Sequence, residues 1–502
     1  EELVIADWAK GPAGTGQASW LMPGFFSLDF IRGCLAESWE ITDDSTAVFK
    51  IRKGIRWHDK PPVNGRELNA NDVVFSIKRL LEATKSWQHT NYASYYKSAT
   101  VLDKWTVIVK STTGNIGAVF GVVADYGKIV APEVIEKYGN MRDWKNVVGT
   151  GPFIVADYVS SSSVTFKKNP NYWGKDPVHP ESTLPYLDGV KWLIIQDIST
   201  QIAGLRTGKV DWMNLIGWED ATSLMKTNPE LGKLRYLQAA HQNIIYMRTD
   251  KPELPFKDVR VRRALAMAID KEAIKRDYYG GNAELFSTPC APYPEYMDLF
   301  RPLEQMPESV REYYGYHADK AKQLLAEAGY PKGFKTEILC YQAQVDRLSI
   351  VKDYWSRIGV DLKLDVREYG VYTSIQGSRA HREMIICQLS SVAPYSFLPF
   401  PSKNAQNWSM INDARVEAAD EVIKKNVVTN DAKVVEVLRD IYPYILEQCW
   451  YIELPSPYLY TMWWPWVKGY HGEYTVGRSN GYNFPIWIWY DQDLKEKMTG
   501  RK

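Results

Sequence analysis

The alternation of apolar and polar positions is clearest at residues 46–52, where Ala47, Phe49 and Ile51 interleave with Thr46, Val48, Lys50 and Arg52. A period of two marks a half-buried strand. The cluster Asp43-Asp44-Ser45 ahead of it is turn chemistry, so the stretch predicts a hairpin. The period then lengthens. Past Asn69 and Asn71, either of which can cap a helix, Val73, Val74, Ile77, Leu80 and Leu81 recur at helical spacing. Gly149-Thr150-Gly151-Pro152 punctuates a return to strands, with residues 153–155 and 164–166 as the candidates. Asn169-Pro170-Asn171-Tyr172-Trp173 reads as a turn with an aromatic foot. Residues 190–197 read as another apolar strand, and 199–206 as a helix stopped near Gly208.

The pattern changes from about residue 243. Residues 243–247 read as a strand, and 258–279 predict one long helix, capped by Asp258, with Val261, Ala264, Leu265, Ala268 and Ile269 on one face. Residues 319–328 predict a second helix, closed by Gly329 at its C′ position and then Pro331. A third follows at 346–358, and then an alternating strand at 360–366. The chain ends on aromatic, strand-like segments at 458–462, 466–467 and 486–489. Helices and strands interleave throughout, which predicts an α/β fold.

Composition narrows the function. At 502 residues the chain is too long for one ordinary core, so two or three domains are expected. Lys and Arg total 61 against 60 Asp and Glu. That balance gives no long-range field for a polyanion, and nucleic acid is not an expected partner. The 19 Trp and 32 Tyr suggest a sizeable aromatic-lined cavity beside the core. Cys34, Cys290, Cys340, Cys387 and Cys449 form no CxxC pair, so they read as buried small hydrophobes with at least one free thiol. No apolar run approaches the roughly 18 residues of a membrane span; residues 117–124 stop at Asp125. The chain opens on the strand-like run Leu3-Val4-Ile5-Ala6, without a basic and apolar leader. HExxH, GxSxG and phosphate-loop signatures are absent. The glycine-rich stretch 11–16 reads as a loop, and His58-Asp59 as a turn. Seven histidines without close spacing predict no metal site, and no cofactor is expected.

Six pieces of sequence carry a family resemblance. They are residues 35–80 (LAESWEITDDSTAVFKIRKGIRWHDKPPVNGRELNANDVVFSIKRL), GTGPFIVADY with KKNPNYWG, PFKDVRVRRALAMAIDKEAI, YHADKAKQLLAEAGYPKGF, NWSMINDARVEAADEVI, and YIELPSPYLYTMWWPWVKGY. In this order they resemble the family 5 solute-binding proteins, also called the cluster C or oligopeptide/dipeptide-binding class. The resemblance implies an α/β fold of the periplasmic-binding-protein type II kind, with two hinged lobes and an inserted subdomain. Lobe I would comprise 1–19, 148–243 and 456–502, the subdomain 20–147, and lobe II 244–455. It also implies an extracytoplasmic, monomeric, non-enzymatic component of an ABC importer. Such a protein captures a peptide or similar small organic solute and delivers it to a membrane permease. Its only tie to the membrane would be a lipid anchor outside this chain. Members take peptides, or less often nickel, haem, opines or oligosaccharides.

Two departures from the family pattern stand out. Peptide binders usually carry a loop like Gly-Trp-x-Ala-Asp-Tyr, whose Asp holds the peptide ammonium. The aligned stretch here is Ile386-Cys387-Gln388-Leu389-Ser390-Ser391-Val392-Ala393-Pro394-Tyr395, and no Asp or Glu lies between Glu383 and Asp413. A buried ammonium without a counter-charge costs several kcal/mol, so the loop favours a solute that lacks a free α-ammonium there. The second departure is at the start: no Leu-Asp-Pro segment follows the first strand, and the sequence ahead of Leu35 is short for the family.

By this alignment Gln388, Ser390, Ser391 and Tyr395 belong to the ligand loop, and Tyr458 and Tyr460 sit where pocket tyrosines sit. Tyr246 and Arg248 lie on the strand entering lobe II. Arg248 is able to clamp a carboxylate or to form a surface ion pair. Trp408 follows the family's asparagine position, here Asn407, as a stacking plate or a core residue. Trp463, Trp464 and Trp466 read as packing. The alternatives are a binder of an oligosaccharide or other neutral solute in the same fold, a scaffold that has lost transport, and a glycoside-hydrolase-like enzyme. The enzyme would need two facing carboxylates, and Glu453 and the pair Glu219-Asp220 are the acids set among aromatics.

Overall fold

The computed structural model describes all residues except 22–26, 85–88, 90–92, 113, 115, 239, 478–482 and 502. Strands β1 (Val4–Ala6) and β2 (Ile31–Gly33) pair antiparallel. The alternation at 46–52 becomes the hairpin of β3 (Ala36–Asp43) and β4 (Thr46–Ile51), turned through Asp43–Thr46. Ala47, Phe49 and Ile51 are buried as the period requires. With β5 (Tyr96–Asp103) and β6 (Thr106–Ser111) the hairpin forms a four-stranded sheet in the order β3-β4-β6-β5. Against it lies the helix Ala70–Glu82. The Asn69 side chain accepts the Asn71 N–H, and the Asp72 carboxylate accepts the Asn69 N–H, a reciprocal cap that fixes the start of the helix. Val73, Val74, Ile77 and Leu81 are buried, while Leu80 turns partly outward. This layer has its own core, built on Leu3, Phe49, Trp57, Val109 and Phe120. The apolar stretch 117–124 ends inside it, with Val119–Ala124 fully buried. Among the described residues no helix is long and apolar enough to cross a membrane.

A second core follows. Strands β7 (Phe153–Val159), β8 (Ser163–Lys168) and β9 (Gly189–Leu193) form an antiparallel sheet, each longer or shorter than its apolar run suggested. The helix Ile198–Arg206 then leads to β10 (Trp212–Ile216), and Gly208 sits at φ +65, a left-handed value that suits glycine. Strand β11 is Gly232–Leu237. Residues 1–236, with 424–431 and 459–502, make the first of two compact units.

The second unit, Leu237–Ile423 with Ala432–Tyr458, is built on one five-stranded sheet. Its strands are β12 (Ala240–Met247), β14 (Lys335–Tyr341), β15 (Asp361–Arg367), β16 (Met384–Ser390) and β17 (Tyr451–Glu453), in the order β15-β14-β16-β12-β17. The short strand β13 (Ala283–Glu284) pairs instead with β18 (Ser456–Trp463). Beyond unit 2, β18 lies between β10 and β11, and β19 (Val467–Lys468) pairs with β20 (Trp489–Tyr490).

Three expectations need correction. The long helix of 258–279 is interrupted: Val259–Met267 ends, and Asp270 re-caps the chain by accepting the Ala273 N–H before a wide turn at Ile274–Tyr278. An aspartate that can satisfy free N–H groups favours a new start over continuation. The strand expected at 190–197 stops at Leu193 because Asp197 caps the following helix. The strand expected at 486–489 begins only at Trp489, after a tight turn at Phe484–Ile486. All five cysteines are buried and free.

Candidate functional site

In unit 2, β14 runs parallel to both β15 and β16, and β17 shares their direction because both it and β16 pair antiparallel with β12. The carboxyl ends of these strands therefore share one edge, the side on which open α/β sheets bind ligands. That edge carries Tyr341 at the end of β14, Gln388 and Ser390 at the end of β16, and Glu453 at the end of β17. The register Ala240↔Ser390 brings the first residues of β12 to the same edge.

Four polar side chains near this edge are striking for what they lack. Asn243 is buried and donates through Nδ2 to the Pro455 carbonyl at 3.0 Å. Its Oδ1, the Tyr279 hydroxyl, Arg347 Nε and the Ser456 hydroxyl are buried atoms that complete no hydrogen bond. Arg347 stands in the first turn of the helix Val345–Ser356, just past β14. Burial pushes the Tyr279 hydroxyl pKa up, and the nearby Arg347 charge, with the Arg347 and Asn243 side chains as hydrogen-bonding neighbours, draws it back. A buried polar group without a partner is costly. Tyr279, Asn243 and Arg347 lie close enough to interact with one another, so the cluster combines a cation with neutral donors and acceptors at the carboxyl edge.

A second polar group is sealed and satisfied. The Glu453 carboxylate, 1% exposed, accepts from the Ser287 N–H (3.0 Å), the Ser287 hydroxyl (2.6 Å), the Thr288 hydroxyl (2.8 Å) and the Tyr314 hydroxyl (3.0 Å). Burial raises its pKa against those bonds and the opposing charge of Lys271. Lys271 is buried too, with Nζ 3.7 Å from the centre of the Tyr314 ring, and burial lowers its pKa to about 8. These groups hold the 287–288 loop to the end of β17.

The structure separates the residues singled out in the sequence. Gln388 is exposed, Ser390 is half-buried with its hydroxyl accepting the Val392 N–H at 3.1 Å, Tyr395 is half-buried, and Ser391 is fully buried. Gln388, Ser390 and Ser391 lie at the carboxyl end of β16, and Tyr395 begins the following turn, Tyr395–Phe397. Tyr246 and Trp408 are instead packed side chains. Their rings meet edge to face at 5.2 Å, the Tyr246 hydroxyl donates to the Gln388 carbonyl, and Trp408 Nε1 donates to the Gln376 carbonyl. Tyr246 thus braces the backbone at Gln388. Arg248 is committed to Asp250 through two bonds (2.9 and 2.6 Å) and to the His381 carbonyl, the ion-pair alternative. Tyr458 is half-buried and donates to Glu284 at 2.9 Å, and Tyr460 lies in a core of unit 1. Asn243, Tyr279, Arg347 and Ser456 were missed. Arg347 had a readable signal, a lone cation at the start of the helix that follows an apolar strand; the other three are brought in by tertiary structure alone.

Residues 31–409 match the family model described as bacterial extracellular solute-binding proteins, family 5 Middle. The chain belongs to this family. Among family 5 relatives, heme-binding protein A of Haemophilus influenzae is 29% identical over 367 residues, which cover 68% of this chain and 63% of that protein. The dipeptide-binding protein of Escherichia coli is 26% identical over 376 residues, covering 70% and 66%. The matches therefore span slightly under two thirds of these relatives' length. Among solved structures, HbpA2 from Haemophilus parasuis aligns with a TM-score of 0.74 at 23% identity over 98% of this chain and 93% of that one. DppA from Helicobacter pylori in complex with peptide STSA aligns with a TM-score of 0.71 at 23% identity over 95% and 93%. The fold is the type II periplasmic-binding-protein fold of family 5.

Proposed function

We propose that this family 5 protein is the solute-capturing component of an ABC importer, and that it takes up a peptide or similar small organic solute and passes it unaltered to a membrane permease. The observation that carries the reading is the unsatisfied polar cluster of Asn243, Tyr279, Arg347 and Ser456 beside the Gln388–Ser391 loop. Relatives named for heme and dipeptide binding, and a structural neighbour holding the peptide STSA, support a small organic solute as the class. Arg347 would receive a carboxylate or carbonyl of the solute, and Gln388 and Ser390 its neutral polar groups. Lobe I with its inserted subdomain, and lobe II, are our assignment of the chain. The two compact units, and the two separate cores within the first, support it. A solute favours the closed arrangement of such lobes only by its differential affinity for it.

The absence of any Asp or Glu between Glu383 and Asp413 favours a second reading of the solute, as a molecule without a free α-ammonium at that point, such as an oligosaccharide or other neutral compound. We read the protein as non-enzymatic. Glu453 is consumed by four hydrogen bonds, and Glu219 and Asp220 lie in the first turn of the helix Trp218–Thr227, where acidic side chains favour the helix N-terminus. An extracytoplasmic, monomeric protein follows from the same reading. Mass spectrometry of the solute released on denaturation tests it: one small organic species per chain is expected, and a chain purified from its own host that releases none, or that hydrolyses what it binds, refutes it.

A further inference from the structure

The two elements that carry the candidate site in unit 2 are joined by a fully buried amide. Strands β14 and β16 pair through Ile338↔Met384 and Leu339↔Ile385. Just past the second pair, the Ile386 carbonyl receives two side chains. Gln344 Nε2 donates to it at 3.2 Å and the Tyr372 hydroxyl at 2.7 Å. The Gln344 Oε1 accepts the Tyr341 N–H at 3.2 Å, at the end of β14. Gln344 is fully buried, and both ends of its amide are used. Burying an amide and freezing a long side chain both cost free energy. An apolar side chain would fill the same space without the polar cost, so what glutamine contributes here is the pair of bonds.

What those bonds tie together decides their use. Gln344 immediately precedes the helix Val345–Ser356, and Arg347 stands three residues on, in its first turn. Ile386 lies two residues before Gln388 and four before Ser390 on β16. We infer that Gln344 is a positioning residue of the solute site: its amide sets the separation between the Arg347 guanidinium and the polar groups at the end of β16, and with it the span of solute that both can hold. The inference rests on the reading that Arg347 receives an acceptor of the solute. A helix start moves as a unit with its first turn, so a displacement at Gln344 is passed to Arg347. Hydrogen bonds keep their strength over only a few tenths of an ångström, so a small drift of that turn is enough to weaken the contact. Without the amide, packing alone holds the start of the helix to β16. Tyr372, on the same carbonyl, works in the same direction.

The test is a double-mutant cycle with Gln344→Met, which keeps the length of the side chain and removes both bonds. The probe is the compound identified by mass spectrometry in the denatured wild-type protein. It is added back to solute-free chains at a temperature at which every variant is folded, and affinity is read by calorimetry. Gln344→Met should weaken binding about tenfold. In an Arg347→Ala background the same substitution should change affinity by less than about twofold, because the contact it positions is already gone. A merely structural role would give the same fold-loss in both backgrounds. Should Gln344→Met fail to fold, Tyr372→Phe, which removes the companion bond to the Ile386 carbonyl, reads the same coupling. Equal losses in both backgrounds, or unchanged affinity with Arg347 in place, overturn the inference and leave Arg347 in the site. An Arg347→Ala chain that binds as tightly as the wild type overturns the reading beneath it, and the inference with it.

Discussion

Removing the Glu453 side chain should destabilise unit 2 by about 3–5 kcal/mol, the usual cost of breaking a buried charge pair from one side. In Glu453→Ala four hydrogen bonds of 2.6–3.0 Å disappear. Each hydrogen bond to a charged group is worth about 1.5–3 kcal/mol, but the three hydroxyls recover part by turning to other acceptors. The larger loss is the counter-charge of Lys271, whose Nζ is buried, completes no hydrogen bond and lies over the Tyr314 ring. Lys271→Met takes away the charge together with its desolvation penalty, so it should cost less than about 1 kcal/mol, and added to Glu453→Ala it should restore part of the lost stability. Lysine also sets a pH signature. Its pKa is about 8 in the fold and 10.5 when unperturbed. Between those values the unfolded chain holds more protons, so stability rises with pH across the window, by about 3 kcal/mol in total. Lys271→Met should flatten that rise. Urea unfolding from pH 7 to 10.5, with amide exchange in β14 and β16 reporting on unit 2, measures all of this. A Glu453→Ala loss below about 1 kcal/mol, or a Lys271→Met loss equal to it, would refute the reasoning.

Other outcomes are as definite. Arg347→Ala should weaken solute binding by about 10–100-fold, the worth of one charged hydrogen bond, as measured by calorimetry with the co-purified solute; unchanged affinity removes Arg347 from the site. His381 is buried against the Trp408 carbonyl, with its pKa lowered by burial to about 4. The unfolded chain takes up the proton first as pH falls from about 6.5, so about 3 kcal/mol of stability is lost by pH 4. His381→Gln should remove that acid sensitivity in urea titrations, and an unchanged pH profile would place the loss elsewhere. Asn69→Ala deletes the cap of the helix Ala70–Glu82 and should cost about 1 kcal/mol, read as exchange protection within that helix.

Much of the fold was legible because period and punctuation agree locally. The hairpin of β3 and β4, the cap at Asn69 and the helix closed by Gly329 at φ +95 each rest on residues a few positions apart. The interrupted helix shows the limit: Val261–Ile269 has the right face, but Asp270 competes for free N–H groups, and periodicity cannot weigh that competition. The site was legible only where it is a contiguous loop, at Gln388–Ser391. Asn243, Tyr279, Arg347 and Ser456 come from four separate segments, and no spacing rule connects them. Tyr246 and Trp408 were legible as aromatic, but whether a ring lines a pocket or packs beneath one is decided by the strand register that buries both.

The central claim is that the carboxyl edge of the unit 2 sheet holds a small molecule through Arg347 and its unsatisfied neighbours. A crystal structure of the protein purified with its natural solute tests this most directly. The account predicts a chemically intact solute with an acceptor oxygen at Arg347 Nε, within hydrogen-bonding reach of the Tyr279 hydroxyl. A solute bound away from these residues, or a cluster that remains unsatisfied with the solute in place, would contradict it.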